Sequence, residues 1–350
     1  MSAVDQPSWL IYGSNGQTGG LLAREAVRRG LQPVLAGRDA SAVNDLADSL
    51  GGLETRVFGL DSPRLDGVRA VIHCAGPFAD TARPMLDACL HERAHYIDVT
   101  GEIDVLEHVL DRDAECRSAG IVALPGAGFD VVPSDCLVAL LKRDLPDASR
   151  LELVVGWSGG TISPGTLRSL VKTLRLGGRA CRGGRVVRAP LGRPVRLPGL
   201  NGRSRTLLVI PWGDVATAYR STGIPDVTTF LEADRPLVIA AASVLLRGLL
   251  RVVDVEHRVP QLAGRLAGAN LGVEAPNESA TLWARATAPS GRAVARRMTT
   301  PGRYATTAHA ALACLEGVLA GTVSPGAHTP SQAFGADFAL SLERVVCDRV

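Results

Sequence analysis

The chain has 350 residues, of which 46% are hydrophobic and 21% are charged, and its formal net charge is +3. This composition excludes an intrinsically disordered protein, and the length predicts two domains with sizeable cores. The first residues lack a basic segment followed by an apolar one, so no signal peptide is expected. Seven dispersed cysteines without a C-x-x-C motif or zinc-type histidine spacing indicate reduced thiols, a cytoplasmic location and no metal site.

Short apolar segments rich in branched residues alternate with amphipathic segments in the N-terminal part of the chain. The predicted strands are residues 9–12, 33–37, 56–60, 70–74, 96–99 and 121–124. Helices are predicted between Gly19 and Gly30 and at residues 39–50, 84–90 and 103–119. This alternation predicts an α/β fold in which a Rossmann-type doubly wound parallel sheet is connected by crossover helices.

A glycine-rich loop follows the first predicted strand. Its glycines have the spacing G-x-x-G-x-x-G and lie at the start of the first predicted helix. A dinucleotide pyrophosphate needs backbone N–H groups at a helix N-terminus and no side chains in its way, which glycine provides. The residues predicted to bind a dinucleotide are Gly13, Ser14, Asn15, Gly16, Gln17, Thr18 and Gly19.

The residue after the second predicted strand indicates which dinucleotide is bound. NAD-binding sites place an acidic residue there, whereas the 2'-phosphate of NADP requires an arginine. The chain has Arg38 at this point, which predicts NADP(H) as the cofactor. Asp39 is predicted to cap the next helix. Asp61, after the third strand, is predicted to bind the adenine, and capping of the following turn is the alternative.

Three more loops follow strand ends, where ligands bind in open α/β sheets. They are HCAGPF at 73–78, YIDVTGE at 96–102 and PGAGFDVVPSD at 125–135. Later in the chain stand IPWGD at 210–214, YRSTGIP at 219–225 and FGADF at 334–338. Together these motifs resemble the saccharopine dehydrogenase-like oxidoreductases, including the bacterial trans-acting enoyl reductases, over nearly the whole chain.

The resemblance implies a domain organisation. Residues 1–130 would form the NADP-binding Rossmann domain, and a C-terminal helix at about 303–350 would pack back on it. Residues 131–302 would form a second α/β domain with a mixed sheet, which covers the nicotinamide and forms a homodimer. Hydride transfer is implied more securely than any particular substrate.

The loop after the fourth strand is predicted to pass beside the nicotinamide ribose, although Gly-Pro is also ordinary turn chemistry. The residues predicted to contact the cofactor there are Ala75, Gly76, Pro77 and Phe78. Thr100 is predicted to bind the carboxamide or the substrate. Glu102 is predicted to be a first-turn charge that complements the dipole of the next helix.

Hydride transfer also needs a proton donor. The Tyr-x-x-x-Lys pair of short-chain dehydrogenases is absent, because none of the four tyrosines is followed by a lysine at that spacing. The candidate catalytic residues are Tyr219, His73 and Asp130. A histidine that ends a buried strand is more often structural, and this alternative applies to His73.

The segment between Glu152 and Asp214 contains no acidic residue. Its basic residues are Arg168, Lys172, Arg175, Arg179, Arg182, Arg185, Arg188, Arg193, Arg196, Arg203 and Arg205. The positive electrostatic field of these residues favours an anionic partner. This partner would be either an acidic acyl carrier protein or the phosphate of a pantetheine arm. A solvated surface loop is the alternative. Nucleic acid is not expected, because aromatic residues are not interleaved with the basic ones.

An apolar run at 237–253 contains Arg247 and Arg251 and is too short and too charged for a predicted membrane span. It is predicted to be a mostly buried helix with one polar face, and an interfacial membrane helix is the alternative.

The leading functional hypothesis is an NADPH-dependent reductase of a polarised double bond, first the C=C bond of an enoyl thioester, then an imine or a carbonyl. The substrate would be a small molecule or a carrier-bound acyl group. The rival hypothesis is a non-catalytic redox sensor that binds NADP(H) on the same fold.

Overall fold

The computed structural model describes residues 8–158, 177–198, 204–232, 236–237 and 278–350. The chain divides into two compact units. The first unit consists of Met1–Val132 and Tyr304–Glu343, and the second consists of Pro133–Arg303 and Arg344–Val350. The chain therefore leaves the first unit after Val132, returns to it at Tyr304 and passes to the second unit again at Arg344.

The strands are β1 (Trp9–Tyr12), β2 (Val34–Gly37), β3 (Thr55–Val57), β4 (Ala70–His73), β5 (His95–Asp98), β6 (Val122–Leu124), β7 (Arg150–Ser158), β8 (Gly178–Arg182), β9 (Arg185–Ala189), β10 (Pro194–Pro198), β11 (Ser204–Val209), β12 (Asp226–Leu231), β13 (Ser279–Thr287), β14 (Ala293–Pro301), β15 (Gly326–Ala327) and β16 (Val346–Arg349). The helices are α1 (Gln17–Arg28), α2 (Ala40–Ser49), α3 (Phe78–Glu92), α4 (Ile103–Leu110), α5 (Asp113–Ala119), α6 (Val132–Asp144), α7 (Asp214–Thr222), α8 (Arg303–Leu319) and α9 (Pro330–Phe334), and a 3-10 helix covers Phe338–Ser341.

The first unit contains a parallel sheet with the strand order β15-β6-β5-β4-β1-β2-β3. The order reverses between β1 and β4, which is the switch point at which doubly wound sheets bind their ligands. Strands β1, β2 and β4 are buried along their whole length, as expected for a sheet covered on both faces. The predicted Rossmann-type α/β fold is confirmed.

Successive residues of each strand face opposite sides of this sheet. On one side Ile11 and Ile72 pack against α1, α2 and α8, to which Leu22, Val43 and Leu312 belong. On the other side, residues of α3 and α4 pack against alternate strand residues such as Leu10. Two buried cores thus fix the loops at the carboxyl ends of the strands.

Three predicted helices differ from the structure. The helix predicted at 84–90 begins earlier, at Phe78. The helix predicted at 103–119 is divided at Asp111–Arg112 into α4 and α5. The helix predicted at about 303–350 ends at Leu319, because Gly321 has a positive φ of 71° and prolines follow. The last residues form β16, which pairs with β14 in the second unit.

The second unit contains a mixed sheet with the order β10-β11-β12-β7-β13-β14-β16, and β8 and β9 extend from β12. Strands β12 and β7 are parallel, and the other described pairs are antiparallel. Its core includes Val154, Leu207, Phe230 and Trp283. The predicted second α/β domain with a mixed sheet is therefore confirmed.

The apolar run at 237–253 lies outside the described residues except for Leu237, as do Arg168, Lys172, Arg175 and Arg203 of the basic segment. Within the described part of the chain, no helix is both long and apolar enough to cross a membrane.

Candidate functional site

The glycine loop after β1 is held between β2 and the loop that follows β4. The N–H groups of Gly13 and Ser14 donate to the Ala36 carbonyl, at 2.8 and 3.1 Å. Gly13 has a φ of 79°, and a Cβ there would lie 2.8 Å from the Ala75 nitrogen. Only glycine satisfies both the dihedral angle and this close approach at the switch point.

Gly19 brings the first turn of α1 against the same loop. A Cβ at Gly19 would meet the Gly13 carbonyl oxygen and lie 2.8 Å from the Ser14 Cα. The N-cap residue of α1, Gly16, provides no side-chain cap, and the first turn contains no acidic residue. The amide end of α1 therefore fits a phosphate group, which would receive backbone N–H groups and the positive end of the helix dipole.

Ser14 and Asn15 lie differently in the loop. Ser14 is buried, and its hydroxyl donates to the Ala36 carbonyl at 3.2 Å. Asn15 is exposed, and its side-chain oxygen lies over Gly37, where a Cβ would be 3.0 Å away. The Ser14 side chain thus holds the loop on β2, while Asn15, Gly16, Gln17 and Thr18 are exposed or half-buried.

A pocket of about 480 Å³ opens beside this loop. It is lined by Tyr12, Gly13, Asn15, Gly37, Arg38, Asp39 and Ala75. Arg38 is exposed at the end of β2, so its guanidinium can reach an anion in the pocket. Asp39 accepts a hydrogen bond from the Ala42 N–H at 3.1 Å, which confirms its prediction as the cap of α2.

Tyr12 forms the inner wall of the pocket. Its hydroxyl donates to the Phe58 carbonyl at 3.2 Å. The pKa of Tyr12 is raised, chiefly because the hydroxyl is buried. The positive charge of Arg38 lowers this pKa and the negative charge of Asp61 raises it, so both charges lie near the hydroxyl. Asp61 is exposed, and its carboxylate lies over Gly59 in its own turn. Its contact with adenine stays a prediction.

The loop at 75–78 leads from β4 into α3. Thr81 anchors it by donating its hydroxyl proton to the Ala75 carbonyl at 2.6 Å. A Cβ at the exposed Gly76 would meet nothing closer than the Phe78 ring at 3.7 Å. The fold itself therefore leaves room for a side chain at Gly76. Because glycine has no side chain, the outer surface of the loop beside Pro77 is open. The contact of this loop with the cofactor stays a prediction.

His73 is buried at the end of β4, among the rings of Tyr12, Phe78 and Tyr96. Its Nε2 lies 3.0 Å from the Thr81 hydroxyl oxygen, which is already a donor to Ala75, so His73 is the donor of this pair. Burial lowers the pKa of His73 to about 3, which leaves the imidazole neutral at physiological pH. The structure thus gives His73 a structural contact, and its role as a proton donor stays a prediction.

Asp98 ties together the loops that follow β5 and β6. Its buried carboxylate accepts the Tyr96 hydroxyl at 2.7 Å and the N–H groups of Thr100 and Gly126, each at 2.9 Å. Burial raises the pKa of Asp98 to about 6, and these hydrogen bonds oppose the rise. The Thr100 side chain is also buried, and its hydroxyl accepts the Glu102 N–H at 3.0 Å. The structure thus gives Thr100 a positioning contact, and its cofactor contact stays a prediction.

The contacts of the Glu102 carboxylate differ from the prediction. It precedes α4 as expected, but its carboxylate does not cap that helix. Instead, it accepts the N–H groups of Phe78 and Ala79 at 3.1 and 3.0 Å, at the N-terminus of α3. The carboxylate therefore joins the loop after β5 to the loop after β4, and it occupies an anion position that a phosphate would otherwise favour.

The two other candidate proton donors lie in different units. Asp130 is half-buried in the first unit, where a Cβ on Gly101 would be 2.8 Å from its carboxylate. Tyr219 is 41% exposed on α7 in the second unit, and its ring packs on Gly184. Both roles stay predictions. Among the described residues, no group of His, Cys, Asp or Glu side chains is arranged to hold a metal ion.

The glycine loop, the amide end of α1 and the arginine-containing pocket define a dinucleotide-binding protein of the Rossmann class. Residues 9–124 match the family model described as saccharopine dehydrogenase NADP binding domain. Residues 9–124 therefore form an NADP-binding domain of the kind this model describes, and the cofactor is NADP(H). The predicted family and cofactor are confirmed.

Two curated relatives and one solved structure are similar to this chain. A human saccharopine dehydrogenase-like oxidoreductase is 23% identical over 207 residues, 49% of this chain and 47% of the human protein. A trans-acting enoyl reductase of Mycobacterium ulcerans is 25% identical over 146 residues, 38% of this chain and 35% of that protein. The chain spans about half the length of the curated relatives it matches. An apo saccharopine dehydrogenase (L-Glu forming) from Saccharomyces cerevisiae shares the fold, with a TM-score of 0.66, 13% identity, and coverage of 98% of this chain and 100% of that one.

Proposed function

We propose that the protein is an NADPH-dependent oxidoreductase that transfers a hydride to a polarised double bond, first the C=C bond of an enoyl thioester, then an imine or a carbonyl. The observation that carries the proposal is the pocket that Arg38 lines together with Gly13 and Asn15 of the glycine loop, which leads into α1. The enoyl assignment is supported by the Mycobacterium ulcerans relative named trans-acting enoyl reductase.

The residues of the first unit have separate tasks in this proposal. Bound NADPH would supply the hydride. The first turn of α1 would hold the pyrophosphate, and Arg38 would bind the 2'-phosphate. The rigid connections made by Thr81, Asp98 and Glu102 would keep the nicotinamide side of the cleft in one geometry, which hydride transfer requires.

The test is NADPH oxidation by the purified protein with an enoyl thioester, a ketone, and a 2-oxo acid mixed with an amine. Turnover with the enoyl thioester supports the whole proposal, and turnover with another class supports hydride transfer but rejects the enoyl assignment. If NADPH binds tightly and no substrate is reduced, either free or attached to an acyl carrier protein, the enzyme proposal is rejected in favour of the redox sensor.

The 2'-phosphate contact gives a direct prediction. Arg38→Gln is expected to weaken NADPH binding roughly tenfold to a hundredfold, because charge-assisted hydrogen bonds to the phosphate are lost. NADH binding is expected to change little, because NADH lacks this phosphate. Fluorescence titration of both nucleotides measures the effect, with Arg24→Gln, another exposed arginine, as the control. Equal weakening of NADPH and NADH binding would contradict the assignment.

The same proposal includes an acidic acyl carrier protein as the partner that delivers the substrate. Arg185 and Arg188 are exposed on β9, and Arg193 and Arg196 are exposed further along the chain. Arg182 has a different environment, because its guanidinium donates to the Cys181 and Val227 carbonyls at 2.6 and 3.0 Å. Similarly, Arg205 forms an ion pair with Glu232. Docking would therefore use the residues from Arg185 to Arg196.

Charge reversal tests this docking surface. Arg185→Glu/Arg188→Glu is expected to raise KM for a carrier-bound enoyl substrate by about tenfold or more, because opposite charges become like charges. The KM for a short thioester without a carrier should stay the same. Arg24→Glu/Arg83→Glu, which reverses two exposed charges of the first unit, is the control. Unchanged carrier KM in the first variant would reject the docking surface.

A reducing, cytoplasmic location and a homodimer formed through the second unit complete the proposal. All seven cysteines are free thiols. Burial raises the pKa of Cys74 to about 12 and that of Cys116 to about 11, so these thiols are protonated and unreactive at physiological pH. Light scattering of the purified protein tests the dimer.

A further inference from the structure

We infer that Tyr12 is a positioning residue for the adenosine half of NADP(H), because its hydroxyl holds the turn at 58–62 beside the nucleotide pocket. This tyrosine ends β1, directly before the glycine loop, and it lines the pocket together with Gly13 and Arg38. The inference rests on the NADP(H) cofactor and not on the proposed hydride transfer, so it can be tested without any turnover.

The Tyr12 side chain packs against two other rings. It is only 2% exposed, and its ring centroid lies 5.0 Å from that of Phe58 and 5.6 Å from that of His73. Phe58 follows β3, whereas His73 ends β4. Close packing against rings from different elements restricts the side chain to one rotamer. The core of the first unit therefore fixes the direction in which the Tyr12 hydroxyl points.

The backbone of Phe58 is bound at both its N–H and its carbonyl group. The N–H donates to the Gly37 carbonyl at the end of β2, at 3.1 Å, and the carbonyl accepts the Tyr12 hydroxyl at 3.2 Å. Gly37 and Tyr12 both line the nucleotide pocket. Of these two hydrogen bonds, only the one from Tyr12 comes from a side chain, so a single substitution can remove it.

The turn that follows Phe58 is compact. The Ser62 N–H donates to the Gly59 carbonyl at 3.2 Å, which closes the turn. A Cβ at Gly59 would meet the Asp61 carboxylate, so the side chain of Asp61 folds back over its own turn. Because the turn is closed on itself, its position depends on the Phe58 carbonyl that the Tyr12 hydroxyl binds.

The charges near the Tyr12 hydroxyl connect the turn with the pocket. Burial is the main cause of the raised pKa of Tyr12, while Arg38 opposes this rise and Asp61 adds to it. Arg38 lines the pocket, and Asp61 belongs to the turn. Since Arg38 would bind the 2'-phosphate of the adenosine half, the hydroxyl joins the turn to the part of the pocket where that half would lie.

Other contacts hold the rest of the segment between β3 and β4. Leu65 is buried in the same core as Tyr12. Arg56 donates to the Asp66 carbonyl at 2.8 Å. Neither contact involves the Tyr12 hydroxyl. Its removal should therefore loosen the turn at 58–62 without unfolding the segment.

The test is Tyr12→Phe, which removes the hydroxyl and keeps the ring. We expect NADPH, NADH and adenosine 2',5'-bisphosphate all to bind about threefold to tenfold more weakly, because a buried carbonyl loses its donor and the turn loses its anchor. This pattern differs from that of Arg38→Gln, which should spare NADH. Fluorescence titration measures the affinities for NADPH and NADH, and calorimetric titration measures the affinity for the bisphosphate.

Tyr96→Phe is the matched control. Tyr96 is another buried tyrosine of the same sheet, and its hydroxyl donates to Asp98 at 2.7 Å. Both variants lose one buried hydrogen bond, so general destabilisation would affect both alike. Only Tyr12→Phe should weaken binding of the bisphosphate, which lacks the nicotinamide half. Unchanged affinity for the bisphosphate in Tyr12→Phe, equal weakening in both variants, or a loss confined to NADPH would each overturn the inference.

Discussion

Gly19→Ala is expected to abolish NADPH binding at concentrations at least about a hundredfold above the Kd of the unchanged protein. The added Cβ would meet the Gly13 carbonyl oxygen and the Ser14 Cα, which are backbone atoms that cannot rotate away. Either the loop or the first turn of α1 must shift, and the N–H groups that would hold the pyrophosphate then lose their alignment. Overpacking of this kind also costs roughly 1–3 kcal/mol of stability.

The adjacent residue provides a matched control for this prediction. A Cβ at Gly20 would lie 3.4 Å from the Ser14 carbonyl oxygen, which is close to ordinary van der Waals contact. Gly20→Ala should therefore bind NADPH nearly as well as the unchanged protein. Fluorescence titration and thermal unfolding of both variants measure the effects. NADPH binding by Gly19→Ala with unchanged affinity would show that the pyrophosphate does not use this turn.

Glu102→Ala is expected to lower kcat by roughly tenfold to a hundredfold, with a much smaller change in the Kd for NADPH. The substitution removes the acceptor for the Phe78 and Ala79 N–H groups, so the loop after β4 is no longer tied to the loop after β5. The pocket beside Arg38 is lined mainly by residues at the ends of β1 and β2, and its one residue from the loop after β4, Ala75, is still held by Thr81. The loss should therefore concern the geometry of the reacting end rather than nucleotide affinity.

Two further variants separate this positioning role from a general effect of charge. Glu102→Gln retains an acceptor oxygen and should recover part of the lost kcat. Glu92→Gln removes a carboxylate at the opposite end of α3 and should leave kcat unchanged. Steady-state kinetics and NADPH titration of the three variants distinguish the outcomes. Equal losses of kcat and of NADPH affinity in Glu102→Ala would contradict the positioning role.

The fold of the first unit could be predicted from local patterns. Apolar runs bounded by glycine and aspartate place six strands within a few residues of their observed positions, because strands buried on both faces leave a clear signal. Gly13, Gly19 and Arg38 could be predicted as parts of the candidate site. Each of them lies within a few residues of the end of a predicted strand, so its position can be recognised from the local sequence. The cap at Asp39 follows from the same kind of local rule.

The remaining contacts of the site join residues that are far apart in the sequence, and local sequence patterns do not reveal such contacts. Glu102 binds N–H groups 23 and 24 residues earlier, and only the parallel pairing of β4 with β5 brings them together. Thr81 reaches the Ala75 carbonyl across the first turn of α3, in a segment predicted as a loop. The strand β15 has two residues and produces no detectable periodicity. Burial of His73 depends on three aromatic rings contributed by separate elements.

The return of the chain to the first unit affects the order in which the protein can be built during translation. The core that contains Ile11 and Leu22 also contains Leu312 and Leu315 of α8. A nascent chain that has emerged only as far as Val132 carries the first-unit loops that are predicted to contact the nucleotide, but one face of its sheet still lacks this covering helix. The unit at the start of the polypeptide is therefore completed only after most of the second unit has been synthesised, and synthesis order and folding order differ.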